Sequence, residues 1–310
     1  MKFAVCGEAL FDVFATAHTP TGVSLDARMG GSPFNVAVGL ARLGQSVGLV
    51  TALSDGFLGE RLMAALHEER VDTRLIQRCP APATLSLVGV DSAGVPSYAF
   101  YGEQGADRLL DASVLKAWPS EVACIHFGSY AAVMGQTAHT QRAIIEQAAS
   151  GAVISYDPNV RLNVQPDKAE WRAHLDWMLP RTHLLKVSEE DLDLLFPGLA
   201  PAEFAARALG AGVAMVVVTR GAKGAEGWTA QGHVQVPPVA VAVVDTVGAG
   251  DTFQAALLTW IAEQGALSPT ALKGCSVESM ARALAFAARA AAVTCSRRGA
   301  DLPRRAELQD

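Results

Sequence analysis

The stretch Asp245-Thr246-Val247-Gly248-Ala249-Gly250-Asp251-Thr252-Phe253 follows an apolar run, Val239 to Val244, and opens an apolar helical pattern, Gly250 to Glu263. Small residues at 248 to 250 let a ligand come close to the backbone. Their N–H groups stand at a helix start, where unpaired donors and the helix dipole hold negative charge. Asp251 puts a carboxylate beside that anion site. Taking a proton from a hydroxyl next to a bound phosphate is chemistry that needs this pairing. An ordinary N-cap aspartate after a glycine turn has the same local sequence, so the stretch alone leaves both readings open. A second segment, Gly30-Gly31-Ser32-Pro33-Phe34-Asn35-Val36-Ala37, exposes backbone at paired glycines. It then presents Asn35, donor and acceptor at once, one turn into a helix, which suits a neutral polyol.

Outward from these segments, short apolar runs alternate with helical patterns. Strands are predicted at Phe3 to Cys6, Val47 to Thr51, Val122 to Phe127, Val153 to Tyr156, His183 to Val187 and Val213 to Thr219. Helices are predicted at Phe34 to Leu43, Leu58 to Glu69, Thr137 to Ala149, Trp171 to Met178, Glu203 to Leu209 and Val277 to Cys295. Continuous rather than alternating apolar strands mark a parallel sheet covered by helices on both faces. The predicted fold is therefore α/β, a three-layer αβα sandwich with a mostly parallel central sheet. Two stretches break the pattern. Phe14 to Met29 is polar and punctuated by Gly and Pro; Ala83 to Tyr101 alternates like an antiparallel hairpin turning at Asp91-Ser92-Ala93-Gly94. They predict a small excursion above the main sheet, a flap appended to a single domain spanning 1–310.

Composition narrows the classes. The chain has 310 residues, 50% hydrophobic and 18% charged, which excludes intrinsic disorder. A formal charge of −6 is the wrong sign for a nucleic-acid partner. The longest apolar stretches are far shorter than the roughly 20 residues of a membrane span, and Glu8 interrupts any signal-peptide pattern. Five scattered cysteines without a CxxC predict a reduced, cytoplasmic chain. Several signatures are missing. There is no GxxxxGK[ST] loop, and Phe253 stands where a dinucleotide fingerprint needs glycine. Val71 replaces the second histidine of a zinc-protease motif begun at His67-Glu68, and Gly128-Ser129 has no GxSxG frame.

The two segments, in this order and about 210 residues apart, resemble the paired signatures of the PfkB (ribokinase-like) carbohydrate kinases. The resemblance covers nearly the whole chain and implies that the excursion, about 13–30 and 83–107, is the family's small β lid. Gly7-Glu8-Ala9-Leu10-Phe11-Asp12 looks like that family's first strand, ending in a sugar-binding Asp. Asp157-Pro158-Asn159-Val160-Arg161 resembles its DPNxR stretch, Thr219-Arg220-Gly221-Ala222-Lys223-Gly224 its nucleotide loop, and Ala287 to Gly299 the elements that close over adenine and a monovalent cation. The resemblance implies ATP, Mg²⁺ and a K⁺-like cation. It implies Asp251 as general base with Gly248, Ala249 and Gly250 as anion hole. Asp12, Gly30, Gly31, Asn35, Tyr101, Asn159 and Arg161 would meet the substrate. Lys186, Ser188, Thr219, Gly221, Gly224 and Ala288 would meet the nucleotide, Asp191 a water-mediated Mg²⁺, and Asp245 the monovalent cation. The family's N-x-x-E motif is altered here to Ser188-Glu189-Glu190-Asp191.

Gly-Gly-Ser-Pro-Phe-Asn, with Phe100, Tyr101, Ala106 and Asp107, looks more like the family's fructokinases than its ribokinases. An arginine usual after the aromatic residue is replaced by Gly102-Glu103-Gln104. The implied reaction is transfer to the 6-hydroxyl of fructose. Ribokinase-like, ketodeoxygluconate and nucleoside kinases stay open as alternatives, as does a sugar- or nucleotide-binding sensor without turnover. The apolar alternation of the lid hairpin predicts a homodimer through the lid.

Overall fold

The structure is a computed structural model that describes residues 1–90, 96–149 and 151–308. In chain order its elements are β1 (Phe3–Cys6), β2 (Leu10–Thr19), β3 (Gly22–Gly30), α1 (Ser32–Arg42), β4 (Val47–Ser54), α2 (Phe57–Glu68) and β5 (Ile76–Cys79). Next come β6 (Leu85–Val90), β7 (Pro96–Tyr101), β8 (Cys124–Gly128), α3 (Gly135–Gln147), β9 (Val153–Asp157), α4 (Lys168–Met178), β10 (Leu184–Ser188) and α5 (Glu189–Leu195). The chain continues through α6 (Pro201–Gly210), β11 (Met215–Thr219), β12 (Ala225–Thr229), β13 (Gly232–Val236), α7 (Ala249–Glu263), α8 (Pro269–Lys273) and α9 (Val277–Cys295).

The main sheet runs β13-β12-β11-β10-β9-β8-β1-β4-β5. All neighbours from β11 to β5 are parallel, and β12 and β13 add an antiparallel edge. Its central strands are buried on both faces, which is why they read as unbroken apolar runs. Alternation sorts their side chains into two cores. Phe3 and Val5 pack with α1, α2, α7 and α9; Ala4 and Cys6 pack with α3, α4, α5 and α6. The predicted αβα sandwich is therefore the observed one.

A second, four-stranded sheet has the order β3-β2-β6-β7. The stretch read as an irregular polar excursion forms most of the β2–β3 hairpin, whose exposed face accepts polar residues without cost. The expected β6–β7 hairpin is present, with its turn outside the described residues. Strands β5, β12 and β13 had no prediction; β5 and β13 lie at the sheet edges, and Gly227 and Gly232 break up the apolar signal of the β12–β13 pair. The family-like "first strand" is also corrected. β1 ends at Cys6, and Asp12 is the third residue of β2, in the small sheet.

Candidate active site

Parallel strands leave ligand room beyond their carboxyl ends, most of all where the strand order reverses. Here β1 lies between β4 and β8, and the chain travels outward on both sides of it. A cleft of about 1320 Å³ opens there, lined by Glu8 beyond β1, Ser129 beyond β8, Asn159 and Arg161 beyond β9, and Lys186 and Ser188 of β10. Asp12, Ser86 and Phe100 of the small sheet cover one end; Thr219, Gly221 and Gly224 line the other with Ala288 of α9.

Gly248 is the N-cap of α7 with φ +77, a left-handed conformation that a side chain would strain. Helix α7 then starts at Ala249, whose N–H donates to the carbonyl oxygen of Thr246 at 3.2 Å, while the N–H groups of Gly250 and Asp251 have no preceding helical turn to donate to. Asp251 sits in that turn, 8% exposed. Its Oδ1 accepts from Ser32 Oγ at 2.6 Å and its Oδ2 from Asn35 Nδ2 at 2.8 Å. Both donors come from the first turn of α1. The two helices pack closely enough that a Cβ on Gly39 would fall 2.8 Å from Ala255 Cβ, which keeps α1 within reach of Asp251. The base-like carboxylate is thus aimed by two side chains more than 200 residues away in sequence.

Beneath Gly250 lies a buried cation. Lys186 Nζ donates to Asp157 Oδ2 at 2.8 Å, and a Cβ on Gly250 would sit 3.2 Å from the same ammonium. Burial opposes the charge of Lys186, but Asp157, with Asp191 and Asp251 behind it, outweighs burial and raises its pKa. Burial pushes the Asp157 carboxyl up to about 6, and the neighbouring Lys186 ammonium pulls it back down. The other oxygen of Asp157, Oδ1, has no hydrogen-bond partner.

Asp191 and Ser188 form a reciprocal capping box at the start of α5. Asp191 Oδ1 also accepts the Val160 N–H at 2.9 Å, tying down the loop that carries Asn159 and Arg161. Among the described residues no three metal-ligating side chains converge. At the nucleotide-like end, Glu189 pairs with Arg220 and Lys223 and braces the loop around Gly221. Val239, Val241 and Val243 line the cleft there and are exposed.

Most predicted residues converge on this cleft, and three sit differently. Tyr101 is 62% exposed; strand alternation turns Phe100 into the cleft in its place. Gly30 lies behind the site and makes room for Asp12, whose Oδ2 a Cβ at Gly30 would meet at 2.5 Å. Asp245 is outside the cleft lining, and its two oxygens accept the N–H groups of Val247 and Gly299, pinning the loop before α7. Sequence reasoning missed Ser32, Asp157 and Glu8 as site residues. The signal for Ser32 was its place beside the glycine pair, and for Glu8 a charge inside an apolar run.

Comparison with known proteins agrees. Residues 2–306 match the family described as pfkB family carbohydrate kinase. The chain is 36% identical over 253 residues to a fructokinase of Rhizobium leguminosarum bv. trifolii, covering 82% of this chain and 77% of that one. It is 31% identical to fructokinase-1 of Zea mays, covering 97% and 94%. Among solved structures, a fructokinase with bound ATP from Xylella fastidiosa superposes with a TM-score of 0.90 at 30% identity, covering 99% and 97%. A fructokinase from Vibrio cholerae O395 in a fructose, ADP and calcium ion bound form gives 0.83 at 27%, also covering 99% and 97%. A cleft at the reversal of a parallel sheet, a carboxylate at an open helix start and this breadth of likeness make one statement: the chain belongs to the PfkB family of carbohydrate kinases.

Proposed function

We propose that the protein transfers the γ-phosphoryl group of ATP to a neutral sugar, with fructose as acceptor through its 6-hydroxyl. The observation that carries this reading is the aimed carboxylate of Asp251 beside the open N-terminus of α7, with the Lys186 ammonium directly below. Phosphoryl transfer asks for positioning and charge stabilisation, and these groups supply both. Asp251 takes the proton of the attacking hydroxyl. The N–H groups of Gly250 and Asp251 and the Lys186 ammonium stabilise charge on the transferring oxygens. Thr219, Gly221, Gly224, Ala288 and the exposed valines hold the nucleotide.

The sugar end favours an uncharged acceptor. Asp12 and Asp251, joined by Glu8 when it is ionised, line it with Arg161 as the facing cation while Lys186 is already paired with Asp157, so a sugar acid or sugar phosphate meets net repulsion. This argues against a ketodeoxygluconate kinase. The names of the fructokinase relatives support fructose.

The residues present fit a divalent cation. Asp157, Asp191 and Asp251 outnumber the single ammonium of Lys186, and Asp157 Oδ1 is buried without a partner. Asp157 and Asp191 would hold Mg²⁺ through water, which this hard cation retains readily. When bound it neutralises phosphate charge. Asp245 holds the loop at which a monovalent cation such as K⁺ would bind.

An ADP-release panel with Mg-ATP against fructose, ribose, glucose, ketodeoxygluconate and nucleosides tests the function. The expected best acceptor is fructose. Far more efficient turnover of ribose or a nucleoside would reject fructose and keep the kinase; no turnover with any acceptor would favour a sensor.

The small sheet serves as a lid that excludes water from the phosphoryl group. A second copy of this chain pairs with it. Strands β3 and β7 are its outer strands, and Val23, Leu25 and Tyr101 are exposed on them. Sedimentation at micromolar concentration should show a dimer, and Leu25→Lys should shift it toward monomer; a strict monomer in the wild type refutes the pairing. Five unbridged cysteines fit a reducing compartment, the cytoplasm, and among the described residues no helix is long and apolar enough to cross a membrane.

A further inference from the structure

We propose that Glu8 is a substrate-binding residue of the sugar end, whose free carboxyl oxygen takes a hydroxyl of a neutral sugar and helps exclude acidic ones. The proposal rests on the sugar-kinase reading above and adds a contact that neither the paired signatures nor the relatives' names point to.

The geometry is specific. Glu8 leaves β1 at the reversal point of the sheet and lines the cleft with Asp12, Asn35 and Asp251. It is 1% exposed. Ser129 supplies a side-chain hydrogen bond to its carboxyl group, while Oε2 has none. The neighbouring carboxylates differ. Asp251 has both oxygens occupied by Ser32 and Asn35, and Asp107, behind the cleft, has both occupied by Thr84 and Tyr130. A buried carboxyl oxygen without a donor is costly, and such groups are retained where a ligand completes them.

Glu8 also titrates in the working range. Burial is the main cause, pushing its pKa up to about 7; the Ser129 hydrogen bond and Arg161 pull it down, and Asp107 pushes it up. Tyr130, which donates to Asp107, also faces it, and burial raises that phenol above its ordinary range; Asp12 and Asp251 line the same cleft. Because the folded pKa lies above the ordinary value of 4.5, the protein loses stability as pH rises through about 7. The ionised carboxylate makes the stronger bond to a hydroxyl, so sugar binding should improve over the same interval. Binding and stability therefore move in opposite directions with pH, as expected of a site residue that costs stability.

The test compares wild type with Glu8→Gln. Expected are a rise in KM for fructose of about tenfold, the loss of one hydrogen bond to a charged group, with kcat and the KM for ATP unchanged. The fall of KM between pH 6 and 8 should flatten, and gluconate-type acids should compete better. Without substrate, Glu8→Gln should melt higher than wild type at pH 8 and equal to it at pH 5. Ser129→Ala, which removes a bond favouring the ionised form, should move the KM inflection to higher pH. A fructose-induced thermal shift reads binding where turnover is absent. Wild type binding fructose without turning it over sinks the kinase reading alone. Turnover with unchanged KM and pH profile in Glu8→Gln sinks this proposal alone.

Discussion

Asp251→Asn is expected to lower kcat by about 10²–10⁴-fold, the range of a lost general base. The substitution keeps size and shape, and Ser32 Oγ can still donate to the remaining amide oxygen, as it donates to Oδ1 now. The Asn35 amide can turn to offer its oxygen to the new amide nitrogen. The helix start and its N–H groups are untouched. KM for ATP should therefore change little, and the melting temperature should stay near that of the wild type. Steady-state ADP release and a thermal melt measure both halves. A variant working at full speed would remove Asp251 from the chemistry and leave it as a clasp between α1 and α7.

The second large effect is expected at Lys186. Lys186→Met should cost about 10²–10³-fold in kcat, as for a removed donor to a transition-state oxyanion. It should also destabilise the fold by about 3–5 kcal/mol, because Asp157 would remain buried without its cation. The two losses are separable. Asp157→Asn in the Lys186→Met background removes the stranded charge and should restore most of the stability while the rate stays below that of Asp157→Asn alone, the comparison needed because Asp157 also stands at the Mg²⁺ position. If the double variant regains rate together with stability, Lys186 is a structural ion-pair partner only. Measuring denaturant midpoints beside kcat distinguishes the outcomes.

The reach of the sequence can be judged from particular elements. Strands β1, β9 and β10 were legible because burial on both faces makes them continuous apolar runs. The β2–β3 hairpin was not, because its outer end meets solvent on both faces, residues 22–25 all being exposed, so no core imposes an apolar run or alternation there. Tyr101 and Phe100 show the same limit at residue scale. Either aromatic fits the local pattern, and only the register of β7 against β6 chooses between them. Asp245 carries the charge a cation site needs, yet its oxygens hold backbone at 247 and 299, a pairing that appears once the last loop folds back.

What the sequence by itself determined is the layered α/β architecture and the local chemistry of the two glycine-containing segments. Periodicity and backbone freedom are properties of neighbours along the chain, so they can be read from it. What only the tertiary structure decided is how those segments meet. Asp251 is aimed by side chains 219 and 216 residues away, and Lys186 is held by a carboxylate 29 residues away on the next strand. Glu8 acquires its significance from burial against Ser129, Asp107 and Arg161. Desolvation and hydrogen-bond geometry depend on distance in space, and a list of residues does not contain that distance until the chain has packed.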